Sequence, residues 1–297
     1  MVVTDKGGVG KSTVALALGM KAAERGRRTI VCEVSSQERI SQAFHRANVG
    51  FKETELQPNL FAISIDPDEA MREYVLLALK VKAMRDLLFR SKLFTYLAAA
   101  TPGLRELVTI GKVWEFALDQ RKVKSAKPYD LVILDAPATG HGVGFLQTPK
   151  TFANVARVGP IATQAETLNK FITNHRKTGV AIVALPEEMP VNETASLERD
   201  LTRTVNVAVD RIFMNGLYPE RFTTEDDDAL TDGLGKLTGP PSDAVAAALS
   251  VSRRAAAQRG QLARLKGITR APITTLPFLF KPELEADELR ELVAVIP

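Results

Sequence analysis

Lys6-Gly7-Gly8-Val9-Gly10-Lys11-Ser12-Thr13 follows the short apolar segment Met1-Val2-Val3 and precedes the helical pattern Val14-Ala15-Leu16-Ala17-Leu18. Strand, glycine-rich loop and helix in that order are the context a phosphate-binding loop requires. Gly7, Gly8 and Gly10 permit positive φ and bring the backbone close to a polyphosphate with no Cβ in the way. Successive N–H groups, that of Val9 among them, can then converge on oxygens, and the following helix adds its positive N-terminal end. Lys11 reaches the β- and γ-phosphates as a compact cation, the Ser12 hydroxyl is placed to ligate Mg2+, and Thr13 suits the next phosphate inward. One position departs from the general pattern GxxxxGK[ST]: Asp5 stands where the first glycine would be.

Working outward, Tyr129-Asp130-Leu131-Val132-Ile133-Leu134-Asp135 is an apolar strand ending in a carboxylate. Such a carboxylate emerges at the C-terminal edge of the sheet, where ligands of open α/β sheets bind. Asp135 is therefore expected to complete the Mg2+ site begun by Ser12, through water or from behind the inner ligands. Apolar, β-branched runs at 28–34, 60–65, 130–134, 180–185, 205–214 and 273–276 read as buried strands, with helical patterns between many of them. This is the grammar of a doubly wound, mainly parallel α/β sheet, expected to form one unit over residues 1–297. Two spacers, about 67–127 and about 216–271, exceed simple crossovers and read as helical insertions. The first carries Met71, Tyr74, Val75, Ala78 and Leu79 at helical spacing, then Met84, Leu87, Leu88 and Phe89, then Leu93, Phe94, Tyr96 and Leu97.

Composition narrows the classes. Of 297 residues, 45% are hydrophobic, enough for a substantial core. The net charge of +4 is scattered, and no aromatic residues interleave with the clusters at 25–28 and 121–124, so nucleic-acid binding is not expected. The one cysteine, Cys32, lies in an apolar run and reads as a buried thiol. A single thiol excludes an intrachain disulfide, a CxxC zinc clasp, an iron–sulfur site of several cysteines and a three-thiolate metalloid site. No stretch approaches the roughly 18 unbroken apolar residues of a membrane span, and no leader precedes the loop, so a cytoplasmic protein with no integral membrane segment is expected. Only Met1, Val2 and Val3 precede Thr4, which predicts a short first strand and allows for a clipped start.

With a lysine at both ends, KGGVGKST resembles the deviant phosphate-binding loop of the arsenite-transport and tail-anchored-targeting (ArsA/Get-like) ATPase family, relatives of the MinD/ParA and nitrogenase iron-protein groups. The resemblance implies a P-loop NTPase that takes ATP and Mg2+, and a dimer in which Lys6 crosses the two-fold interface to the partner's nucleotide like an arginine finger. Asp135-Ala136-Pro137-Ala138-Thr139-Gly140-His141 is similar to the family's second switch, DTAPTGH, with the proline displaced by one place. Thr139, Gly140 and His141 are then expected to transmit nucleotide state, His141 through hydrogen bonding rather than proton transfer. Asn215, after the 205–214 run, either pairs with the donor and acceptor edge of adenine, as in family members, or forms a turn before Gly216. Pro277 and Phe278 resemble the family's loop over the base; they pack against it or close the fold. At the first switch Ser35 stands where the targeting ATPases place the Asp that orients water, and serine is a poor general base unaided. Glu33 and Glu38 are the candidate substitutes, and slow hydrolysis through positioning and charge is expected.

The leading expectation is a Mg·ATP-dependent dimeric switch ATPase whose first insertion engages a hydrophobic client, although its Met and Leu residues equally suit helix-on-helix packing. An alternative is a weakly hydrolysing subunit of a heterodimer with a homologous ATPase. A third is a MinD/ParA-like positioning ATPase, against which stands a final helix rich in Glu283, Glu285, Asp287, Glu288 and Glu291, since acidic tails repel anionic membranes and DNA.

Overall fold

The apolar runs become the strands of one eight-stranded sheet with spatial order β3-β4-β2-β5-β1-β6-β7-β8. A computed structural model describes residues 1–5, 7–34, 39–45, 49–78, 101–121, 126–137, 142–156, 158–281 and 284–297. Strands β1 (Val2–Thr4), β2 (Thr29–Val34), β4 (Leu60–Ile65), β5 (Leu131–Asp135), β6 (Val180–Ala184), β7 (Val209–Leu217) and β8 (Ile273–Pro277) all pair in parallel. Parallel strands covered on both faces read as continuous apolar runs, which is why these runs were legible.

Three local differences from the sequence reading have physical causes. Strand β3 (Thr54–Gln57) joins β4 antiparallel at the sheet edge. Its half-polar Thr-Glu-Leu-Gln pattern carries little hydrophobic signal, and the Pro58-Asn59 turn, with Asn59 at φ 65°, is its clearest mark. The 205–214 run begins as strand only at Val209, because Leu201–Val205 form a π-helical turn closed by Asn206 at φ 62°. The same strand extends past Met214 to Leu217, so the first residues of the expected 216–271 insertion belong to the sheet.

Two cores lie on the two faces of the sheet, and the period of two along each strand assigns the residues. Val31, Ile133, Ala181 and Phe213 face α1 (Lys11–Glu24), α2 (Arg39–Ala43) and the C-terminal helix. Ile30, Cys32, Leu134, Ile182 and Met214 face the opposite layer. That layer holds α3 (Pro67–Ala78), α4 (Leu104–Phe116), α5 (Gly142–Ala156), α6 (Pro160–Ile172) and α7 (Glu188–Asp200), followed by α8 (Thr224–Leu234) and α9 (Pro240–Ile268) on the β7 side. Helix α10 (Ala286–Val295) closes the first face against α1. Burial pushes the Cys32 thiol pKa up, as suits an inert core thiol.

Of the first insertion, α3 and α4 are described and pack on each other. The helical patterns expected from Leu79 to Leu97 lie outside the described residues. The second insertion is an antiparallel pair, α8 and α9, in which α8 opens with a capping box formed by Thr223 and Asp226. Among the described residues no helix is long and apolar enough to cross a membrane.

Candidate functional site

Strand β1 sits at the centre of the sheet between β5 and β6, and the chain leaves its C-terminal end directly into the glycine-rich loop. Gly7, Gly8 and Gly10 take φ of 121°, 72° and 85°, values that L side chains rarely adopt. Gly10 serves as the N-cap of α1, whose first turn carries no acidic side chain to compete with an anionic ligand. Thr13 lies in that turn, partly exposed, while Val9 turns into the core beneath the loop.

Three side chains converge at the base of the loop. Lys11 Nζ lies 2.5 Å from Asp135 Oδ1, and Ser12 Oγ donates to Asp135 Oδ2 at 2.5 Å. Lys11, Ser12 and Asp135 are only 3%, 5% and 4% exposed. One carboxylate thus receives both the cation and the hydroxyl, across more than a hundred residues of chain. Asp135 is available at this point because β5 ends there, in register with Val3 of β1 and Glu33 of β2.

The register also settles the direction of Glu33. Paired neighbours in a sheet share a face, so Glu33 points to the α1 side, as Asp135 does. It is buried, and its Oε2 accepts the Ile40 N–H at 3.3 Å, which ties β2 to the start of α2. Glu33 is thereby placed next to Asp135, one residue before the end of β2, which segment 35–38 follows. Ser35 and Glu38 lie outside the described residues, as do Lys6, Thr139, Gly140 and His141. Gly142, which follows the second-switch motif, starts α5 with its α-carbon against Thr4 Oγ1, where any Cβ would collide.

Asn215 lies within β7 rather than in a turn, and its Nδ2 donates to the Val9 carbonyl at 2.9 Å. A Cβ on Gly10 would overlap the same amide, so loop and strand are in close contact. After Asn215 the ladder to β8 slips by one residue, with Gly216 at φ 76°. The Phe278 ring packs over the Gly216 α-carbon, and Pro277 ends β8 beside it. Phe278 is 40% exposed and lies 4.8 Å from the rings of both Tyr218 and Phe280. Asn215, Pro277 and Phe278 therefore share one corner next to the loop, with an amide for a polar edge and an aromatic face for an apolar one.

Oxygen donors from a hydroxyl and a carboxylate, side by side under a helix N-terminus, fit Mg2+ bound together with phosphate. Among the described residues no group of three or more His, Cys, Asp or Glu could hold a metal ion. Sequence reasoning missed Gln258 and Arg259 on α9, which bind the backbone of Gly216 and Tyr218 at and just beyond the end of β7, behind this corner. The available signal was a polar residue inside the buried stripe Leu249, Ser252, Ala255, Gln258, Leu262, Leu265.

The family model described as "Anion-transporting ATPase" matches residues 1–161 and 156–230. ATPase BagA of Mycobacterium tuberculosis is 30% identical over 236 residues, covering 76% of this chain and 67% of that protein. A putative arsenical pump-driving ATPase of Halobacterium salinarum is 27% identical over 231 residues, covering 74% of this chain and 35% of its own. ATPase GET3 of Kluyveromyces lactis is 25% identical over 250 residues, covering 72% and 71%.

Proposed function

The chain belongs to the anion-transporting ATPase family, and from that premise we propose that it is a Mg·ATP-dependent, dimeric switch ATPase that couples nucleotide state to a client or partner. The convergence of Lys11 and Ser12 on Asp135, under a loop of positive-φ glycines, carries this reading. The loop N–H groups and the α1 N-terminus bind the polyphosphate; Lys11 turns from Asp135 toward its β- and γ-oxygens. Ser12 and Asp135 hold Mg2+, which when bound neutralises the phosphate charge. Asn215, Pro277 and Phe278 receive the base, and Lys6 crosses to the partner's nucleotide, as the family resemblance implies. Residues 136–142 link the γ-phosphate to α5, with Thr139, Gly140 and His141 as the switch. The first insertion presents the client surface.

Turnover is slow in this reading, because Ser35 replaces the water-orienting carboxylate. Glu33, buried beside Asp135, is the carboxylate best placed to assist. Ser35 at that position also supports a second reading, a nucleotide-binding subunit that pairs with a more active homologue. A soft metalloid cargo held by three thiolates does not suit a chain whose one cysteine is buried. Phosphate release by the pure chain decides between the two. Steady Mg-dependent release, lost in Lys11→Ala and in Lys6→Ala, supports the homodimeric enzyme; no release above background supports the heterodimer subunit.

A further inference from the structure

The slip between β7 and β8 leaves backbone groups that no strand can satisfy. Leu217 O is taken by Phe278 N at 2.8 Å, but Gly216 O, Tyr218 N and Tyr218 O fall outside the ladder. Side chains of two consecutive residues of α9 supply their partners. Gln258 Oε1 accepts Tyr218 N–H at 2.8 Å, and Gln258 Nε2 donates to Gly216 O at 3.3 Å. Arg259 Nη2 donates to Tyr218 O at 2.8 Å and its Nε lies 3.3 Å from Glu220 Oε1. The amide orientation of Gln258 is unambiguous, since a backbone N–H can only donate and a carbonyl can only accept. At 7% exposed, the amide acts as a surrogate strand neighbour for the slipped segment.

That segment is bounded by the residues of the base corner. Asn215, immediately before it, reaches Val9 of the phosphate loop; Phe278 packs on Gly216, and Tyr218 packs on Phe278 and Phe280. The α9 helix meanwhile presents little of its surface to the sheet and carries α8 on its outer part. A shift of α9 along its axis either breaks the two Gln258 bonds or draws Gly216 with it, and either outcome disturbs the segment that joins Asn215 to the Phe278 contact.

We propose that Gln258 is a positioning residue for base recognition, which makes the nucleotide's base affinity depend on where the second insertion sits. The proposal rests on the reading that the base docks at Asn215 and Phe278. Gln258→Met keeps the volume and loses both bonds; Gln258→Glu keeps the acceptor for Tyr218 but sets a carboxylate oxygen against Gly216 O. The test compares dissociation constants for ATP, GTP and inorganic tripolyphosphate, measured by calorimetry with Mg2+, across both variants, Asn215→Ala and an exposed control on the same helix, Arg253→Ala. The expected result is ATP binding about tenfold weaker in both Gln258 variants, a preference for ATP over GTP that shrinks with it, and unchanged tripolyphosphate binding. Arg253→Ala should match wild type. Thermal unfolding checks that each variant is folded, and Gln258→Glu carries the test if Gln258→Met is not. Three results would overturn the proposal. Wild-type ATP affinity and preference in a folded Gln258 variant, with Asn215→Ala impaired, removes Gln258 alone. Equal weakening of ATP and tripolyphosphate makes the residue a general support of the fold. No base preference in wild type, or none lost in Asn215→Ala, removes the docking site itself and the proposal with it.

Discussion

Lys11 pairs with Asp135 and, in the proposed function, also binds phosphate, two contributions whose energies can be separated. With Asp135 buried, removing the cation leaves a carboxylate that, among the described residues, keeps the Ser12 hydroxyl, and breaking such buried pairs costs about 3–5 kcal/mol. Lys11→Ala should therefore lose ATP binding by at least ~100-fold, since the lost phosphate contact is worth roughly 4 kcal/mol at an effective dielectric near 20, and should also unfold at lower urea. Adding Asp135→Asn should restore most of the urea resistance without restoring binding; recovery of neither would mean that the pair does not stabilise the empty protein. Gly10 makes a sharper steric case. Its φ of 85° and the Asn215 amide both exclude a Cβ, so Gly10→Ala must shift the loop or the end of β7. Nucleotide affinity in Gly10→Ala should fall at least about tenfold with far-UV circular dichroism unchanged, whereas Gly8→Ala, with open space around its Cβ position, should be milder.

At the level of elements, the N-terminal edge of the sheet is closed by a polar clasp. The Tyr129 hydroxyl, just before β5, donates to Glu53 Oε2 at 2.6 Å, and Arg121 meets Glu53 Oε1 at 2.7 Å. Arg28 stacks over Phe61 at 3.9 Å and Tyr129 at 4.7 Å, which binds β2, β4 and β5 together. Burial alone would raise the Glu53 pKa, but the bonds from Arg121 and Tyr129 outweigh it and hold the carboxyl below its ordinary value. A depressed carboxyl pKa contributes stability that is complete above the unfolded value and lost as pH falls through the native one. Tyr129→Phe should cost roughly 1.5–3 kcal/mol at neutral pH, and its acid unfolding, followed by fluorescence, should begin at higher pH than wild type. The elements also show what a sequence can disclose. Leu131–Asp135 was readable because an apolar run ended in one carboxylate, and Lys11 and Ser12 because glycine spacing demanded them. The strand Thr54–Gln57 was not, since an edge strand needs few apolar residues, nor was the π-helical turn at Leu201–Val205, whose Thr and Val favour extended backbone. Gln258 showed only as a polar residue in a buried stripe, and its role was hidden because its partners are backbone groups freed by a slip that exists only in the folded sheet.

For the whole molecule, the site occupies the central crevice where connections from β1 run to one side and those through β6 to the other. Association driven by ATP should then appear as a change of mass. Light scattering is expected to give one chain with ADP and two with a non-hydrolysable ATP analogue, and one chain for Lys6→Ala in both; dimers in every state would remove nucleotide control from the proposed function.

The ion pair beneath the loop has a further consequence. Because Lys11 already rests against an anion of the protein's own, nucleotide arrival at the proposed site would be an exchange of counter-charges rather than the filling of a bare cationic hole. The ledger of attraction is therefore flatter than the count of lysines suggests, and each departing product hands Lys11 back to Asp135. In the proposed function, release is then assisted from within, which would give the switch a defined way to reset.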